Sequence, residues 1–155
     1  MMTPGRRSLR FHSFDEIMPD VERLVDGHST VGHWSLAQIC RHLADVLRAT
    51  VDLPAGAIPS DPARAGELAD AKRRAFESGA IPEGMSGPPS LLPPDGLLDV
   101  VAEERGLREA IAHYAASPGP AIVHPFFGPL TKEEWDQGHL IHCAHHLSFA
   151  VPDEA

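Results

Sequence analysis

Four histidines, His139, His142, His145 and His146, fall within eight residues in the run GHLIHCAHHLSF, out of ten in the whole chain. They alternate with Leu140, Ile141, Ala144, Leu147 and Phe149, so the run reads as imidazoles on a buried helix rather than a polar tail. Buried imidazoles in such number need partners, and a divalent metal is the most economical one. At ~100° per helical residue, His142 and His146 lie within ~40° of each other, the spacing at which two imidazoles bind one ion. Trp135, His139 and Phe149 share that arc, and His145 sits at its edge.

Two ligands rarely suffice, and the third candidate is His42, on the inward arc of WSLAQICRHLAD with Ile39, Val46 and Ala49. His42 lies ~10 Å from the start of its helix, and His142 and His146 lie ~16–22 Å from the start of theirs, so the levels match if the two helices run antiparallel. Three neutral imidazoles leave an ion its full charge and open positions, which is the catalytic rather than the structural arrangement. Imidazole ligation favours zinc, with nickel second and iron behind it. His139, His145 and His124 read as neighbours rather than ligands. No general base stands out; His139 and His145 are the nearest candidates, and no other catalytic residue is named. Cys40 and Cys143 point away from the ligand arcs and read as core thiols.

These side chains need helices to carry them. Ser13-x-x-Glu16, Ser35-x-x-Gln38 and Thr131-x-x-Glu134 each fit a capping box. Trp34 and Leu130 precede the second and third caps as hydrophobic staples, toward Ile39 and Trp135, which accounts for both tryptophans without a ligand. The expected long helices cover residues 13–26, 35–50, 95–116 and 131–150. In the third, Leu97, Val100, Val101, Leu107, Ile111 and Tyr114 form the apolar side. Residues 53–94 form a Pro/Gly-rich crossover with one shorter helix over 62–78. No strand shows period-two alternation. Two short-looped helix pairs joined by a long connection make an all-α four-helix bundle over residues 1–155 as a single domain, with residues 1–12 expected to be flexible. The last helix is apolar on two sides, so its second face should meet either the crossover or a second subunit.

The net charge of −9 argues against a nucleic-acid partner. The clusters Arg6, Arg7, Arg10 and Lys72, Arg73, Arg74 read as a floppy end and a solvated face. Two cysteines without CxxC spacing give no disulfide framework, residues 1–12 lack the apolar segment of a secretory signal, and no apolar run approaches a membrane span. A reduced, cytoplasmic setting is the expectation.

Trp34-Ser35 followed seven residues on by His42, and HPFFGPLTKEEW leading into HLIHCAHHLSF, resemble the DinB-like superfamily, in an uncharacterised branch. The resembling segments cover about a third of the chain. The resemblance implies an up-down-down-up four-helix bundle, often a homodimer, with a three-histidine metal site. Carried over by position, its ligands are His42, His142 and His146. It also implies a metal that activates a low-molecular-weight thiol, with a small molecule as substrate. The chain departs from better-known members after the last histidine, where Leu147-Ser148-Phe149 replaces a short polar stretch, so the thiol and its acceptor are not carried over. Two functions follow: a metal-dependent thiol transferase or hydrolase, or a non-catalytic metal- or ligand-binding dimeric bundle.

Overall fold

The computed structural model describes residues 2–85 and 87–154. Each expected capping box forms. Gln38 N donates to Ser35 Oγ at 3.1 Å while Ser35 N donates to Gln38 Oε1 at 2.9 Å, and Thr131 and Glu134 exchange the equivalent pair at 3.2 and 3.0 Å. At the first box, Glu16 Oε2 accepts from Ser13 N at 2.7 Å. Five helices result: α1 (Ile17–Asp26), α2 (Leu36–Asp52), α3 (Ala65–Ser78), α4 (Val100–Ala115) and α5 (Lys132–Leu147). Short 3-10 turns precede α1 and α3 and lie in the crossover at Pro89–Leu91.

The core is built from Ile17, Val21 and Leu24 of α1, Leu36, Ile39, Leu43 and Leu47 of α2, Leu107, Ala110 and Tyr114 of α4, and Cys143, Ala144 and Leu147 of α5. Cross-helix contacts set the directions. Arg41 reaches Glu103 and Arg48 reaches the carbonyl of Gly106, so α2 and α4 run parallel. Phe14, just ahead of α1, meets Tyr114 while Glu22 pairs with Arg108, so α1 runs antiparallel to α4. His42 meets His142 while Thr50 meets His139, so α2 and α5 are antiparallel, as the matched depths require.

Four expectations need correcting. First, the chain contains strands: β1 (His28–Thr30) pairs antiparallel with β2 (Ala150–Pro152), His28 opposite Pro152 and Thr30 opposite Ala150. Three residues are too few to reveal a period of two, and α5 stops at Leu147 rather than reaching Ala150. Second, α4 starts at Val100, because Asp99 caps it by accepting from Val101 N; Leu97 and Val101 are exposed and not part of the apolar side. Third, the segment before residue 13 is tied down, with Phe11 buried. Arg7 forms a bidentate pair with Asp20 at 2.8 and 2.9 Å and also donates to the carbonyls of Leu147 and Ala150. Fourth, Arg6 and Arg7 of one basic cluster and Lys72 of the other are tied to distant groups, while Arg10, Arg73 and Arg74 are exposed, as a solvated face requires. Arg6 donates to Glu83, Ser148 Oγ and His145, and Lys72 pairs with Glu134 across α3 and α5. Among the described residues, no helix is long and apolar enough to cross a membrane.

The second apolar face of α5 is covered within the chain. α3, the crossover and the loop ahead of α5 roof it, with Phe76 of α3 packed edge-on against Phe127 of the loop at 5.6 Å. The roof does not close down on the helix. It leaves a cavity of about 660 Å³ along α5.

Candidate metal centre

His42 comes from the middle of α2 and His142 and His146 from the last two turns of α5. The spacing of four stacks the two α5 imidazoles on one face, and the antiparallel crossing brings His42 to meet them. His42 Nε2 lies 3.2 Å from His142 Nε2, and His146 Nε2 lies 3.1 Å from the same atom; the three ligand-capable nitrogens all sit within 4.8 Å of one another. Two nitrogens bound tetrahedrally at 2.0–2.1 Å from one ion stand about 3.3 Å apart, so two of the three separations already fit.

The tautomers sharpen this. His42 Nδ1 donates to the carbonyl of Leu91 at 2.7 Å, which puts the ring proton on Nδ1 and leaves the Nε2 lone pair facing the other two rings. His142 Nε2 then touches two nitrogens but carries at most one proton. One of its two contacts is therefore always left without a donor facing an acceptor, whereas one divalent ion satisfies all three lone pairs. Burial pushes the pKa of all three imidazoles down, strongly for His142 and His146, so the group is neutral near pH 7, the form that ligates. Trp34 stacks on His146 at 5.1 Å, tilts against His42 at 5.0 Å and shields the group.

The histidines set aside as neighbours are each held in one tautomer. His145 Nδ1 accepts from Arg6 Nη2 at 2.9 Å, so its proton is on Nε2. The Thr50 hydroxyl donates to the carbonyl of Leu47 at 2.8 Å, so it can only accept from His139 Nε2 at 3.2 Å. His124 Nδ1 accepts from the backbone N–H groups of Phe126 and Phe127 at 3.0 and 3.1 Å, so its proton is also on Nε2. Burial lowers His139 to about 3, His145 to about 4 with help from the Arg6 charge, and His124 to about 4, so all three stay neutral. Cys40 and Cys143 are buried in the core and pushed up to about 12 by burial, as inert thiols should be.

The cavity opens onto the three histidines. Its wall is mostly apolar, with Val46, Leu53, Ile122, Phe126, Phe127 and Ile141 among the lining residues. Both tryptophans line it, Trp34 at the histidine group and Trp135 seven residues before His142, which the staple reading missed. Gly138 also lines it, between them; a Cβ built there meets nothing within 4 Å. A glycine inside a buried helix was a legible signal that space is needed there. His124 and Arg6 gave no such signal, because their roles depend on where two distant loops fold.

Fold and site together define a mostly helical protein with a small two-stranded sheet, in which three histidines from two helices could hold a metal ion beside an apolar cavity. The chain belongs to the family described as Protein of unknown function (DUF1569), which matches residues 3–153. No curated protein and no solved structure matches it.

Proposed function

We propose that the protein is a metal-dependent enzyme of the DinB-like type, in which His42, His142 and His146 hold one divalent ion, zinc by preference and nickel second. One observation carries the reading: His142 Nε2 lies 3.1–3.2 Å from the Nε2 atoms of both His146 and His42, with all three within 4.8 Å, around a junction that protons cannot satisfy. The up-down-down-up four-helix bundle implied by the DinB-like resemblance is supported by α1 antiparallel to α4, α2 parallel to α4, and α2 antiparallel to α5.

A bound ion would supply Lewis acidity to a thiol or water at neutral pH, for transferase or hydrolase chemistry. The rest belongs to the chain. The Leu91 carbonyl fixes the His42 ring, Trp34 covers the group against bulk water, and the cavity receives a small molecule. Three protein ligands facing a cavity favour an exchangeable fourth position over a closed structural ion, and so favour the enzyme over a non-catalytic binder.

The test is elemental analysis of protein purified without chelator, with thermal unfolding alongside. The expectation is about one zinc per chain, a melting temperature raised by zinc, and loss of both in His42→Ala and His146→Ala but not in His113→Ala, an exposed histidine of α4. Wild-type protein that carries no stoichiometric metal and is not stabilised by zinc overturns the reading.

A further inference from the structure

At the end of the cavity away from the three histidines, two donors lack acceptors. His124 spends Nδ1 on the turn N–H groups of Phe126 and Phe127, so its Nε2–H lies on the ring edge directed away from that turn. It has no partner among the described residues, and His124 lines the cavity. The ring is clamped by Phe127, stacked at 4.4 Å, and by Trp135 at 5.1 Å, so it cannot swing to find another acceptor. Trp135 is 3% exposed, and its Nε1–H is the buried side-chain nitrogen that no described residue satisfies. Of the two, the His124 Nε2–H is the one with accessible surface, because the Trp135 Nε1–H is sealed behind its neighbours; an unpaired N–H on a largely apolar cavity wall is what a ligand oxygen would satisfy. With Nδ1 occupied by the turn, His124 offers only a donor, and it is held neutral, so the site discriminates for an acceptor without a counter-charge. Trp135 and His142 are seven residues apart on α5, about 10 Å. Gly138, between them, keeps the path clear.

We propose that the cavity takes an elongated small molecule whose apolar body lies along α5 past Gly138 and the Trp135 ring, and whose far end presents a carbonyl or carboxylate oxygen to His124 Nε2–H. Placing its other end at the metal centre rests on the proposed function; the acceptor pocket itself does not.

The experiment therefore uses chelator-treated protein and two probes of one length: octanamide, which offers a carbonyl, and n-octylammonium, which offers only donors. Binding is followed by calorimetry and by tryptophan fluorescence in Trp34→Phe, where Trp135 is the remaining reporter. Octanamide is expected to bind more tightly than octylammonium and to change the Trp135 emission. His124→Asn retains an oxygen for the turn N–H groups but loses the outer donor. It should weaken octanamide roughly 3- to 10-fold, the worth of one neutral hydrogen bond, and leave octylammonium nearly unchanged, while the lost ring packing against Phe127 and Trp135 lowers the melting temperature of the free protein. Equal binding of the two probes, no binding of octanamide, or octanamide affinity unaltered in His124→Asn overturns the proposal. Zinc binding at the three histidines without acceptor preference sinks this inference alone; acceptor preference in a protein that never binds zinc sinks the metal reading alone.

Discussion

Gly138→Ala should make the protein more stable, which is unusual for a substitution at a buried position. Glycine in a helix interior is less favourable than alanine by roughly 0.5–1 kcal/mol, from the freedom it loses on folding. That gain is normally cancelled in a packed core by overlap, but here the added Cβ meets no atom within 4 Å. For a chain of this length the gain corresponds to a rise in melting temperature of roughly 1–4 °C. Gly106→Ala on α4 is the matched control, because its Cβ also meets nothing within 4 Å and it does not line the cavity. The two alanine variants should gain alike in thermal unfolding. They should part company when the side chain grows: Gly138→Leu fills the path between Trp135 and His142 and should weaken octanamide at least about tenfold, the cost of a displaced apolar segment. Gly106→Leu should leave octanamide binding alone. A lower melting temperature for Gly138→Ala would show that the position is packed rather than open. Undiminished octanamide binding in Gly138→Leu would show that the cavity is not the binding path.

Other outcomes follow from the same geometry. His124 and His139 are buried neutral with folded pKa values near 4 and 3, below the ordinary 6.5. The unfolded chain therefore binds more protons below pH 6.5, and stability is full above that pH. It should fall by about 1 kcal/mol per pH unit for each such histidine between pH 6.5 and 4; a flat stability profile over that range in urea titrations contradicts the assignment. Arg7→Lys should cost about 2 kcal/mol by chemical denaturation, because an ammonium cannot serve Asp20 bidentately and two carbonyls together; a change under about 0.5 kcal/mol would mean that the Arg7 contacts do not hold the N-terminal segment down. Cys40 and Cys143 should resist Ellman's reagent in the folded protein at pH 8 and react fully in denaturant. Rapid native reaction would place a thiol outside the core.

Part of this protein could be read before any coordinates. Capping boxes act within four residues, so Ser35-Gln38 and Thr131-Glu134 marked two helix starts correctly, and the i,i+4 rule picked His142 and His146 from the four clustered histidines. Helical phase also turned His42 inward and Cys40 and Cys143 into the core. These are short-range effects, and a linear chain displays them. Whether His42 reached His142, a hundred residues away, depended on an antiparallel crossing that periodicity states only as a condition. Tertiary structure alone decided the tautomers, because the partner of His42 is a carbonyl 49 residues downstream and the partner of His145 is an arginine 139 residues upstream. It turned the N-terminal segment from an expected loose end into a strap, paired two three-residue strands, and set Trp34 and Trp135 on the cavity wall. Each of those outcomes rests on groups that meet only after the chain has folded, where burial and hydrogen-bond satisfaction, rather than local propensity, choose the partner.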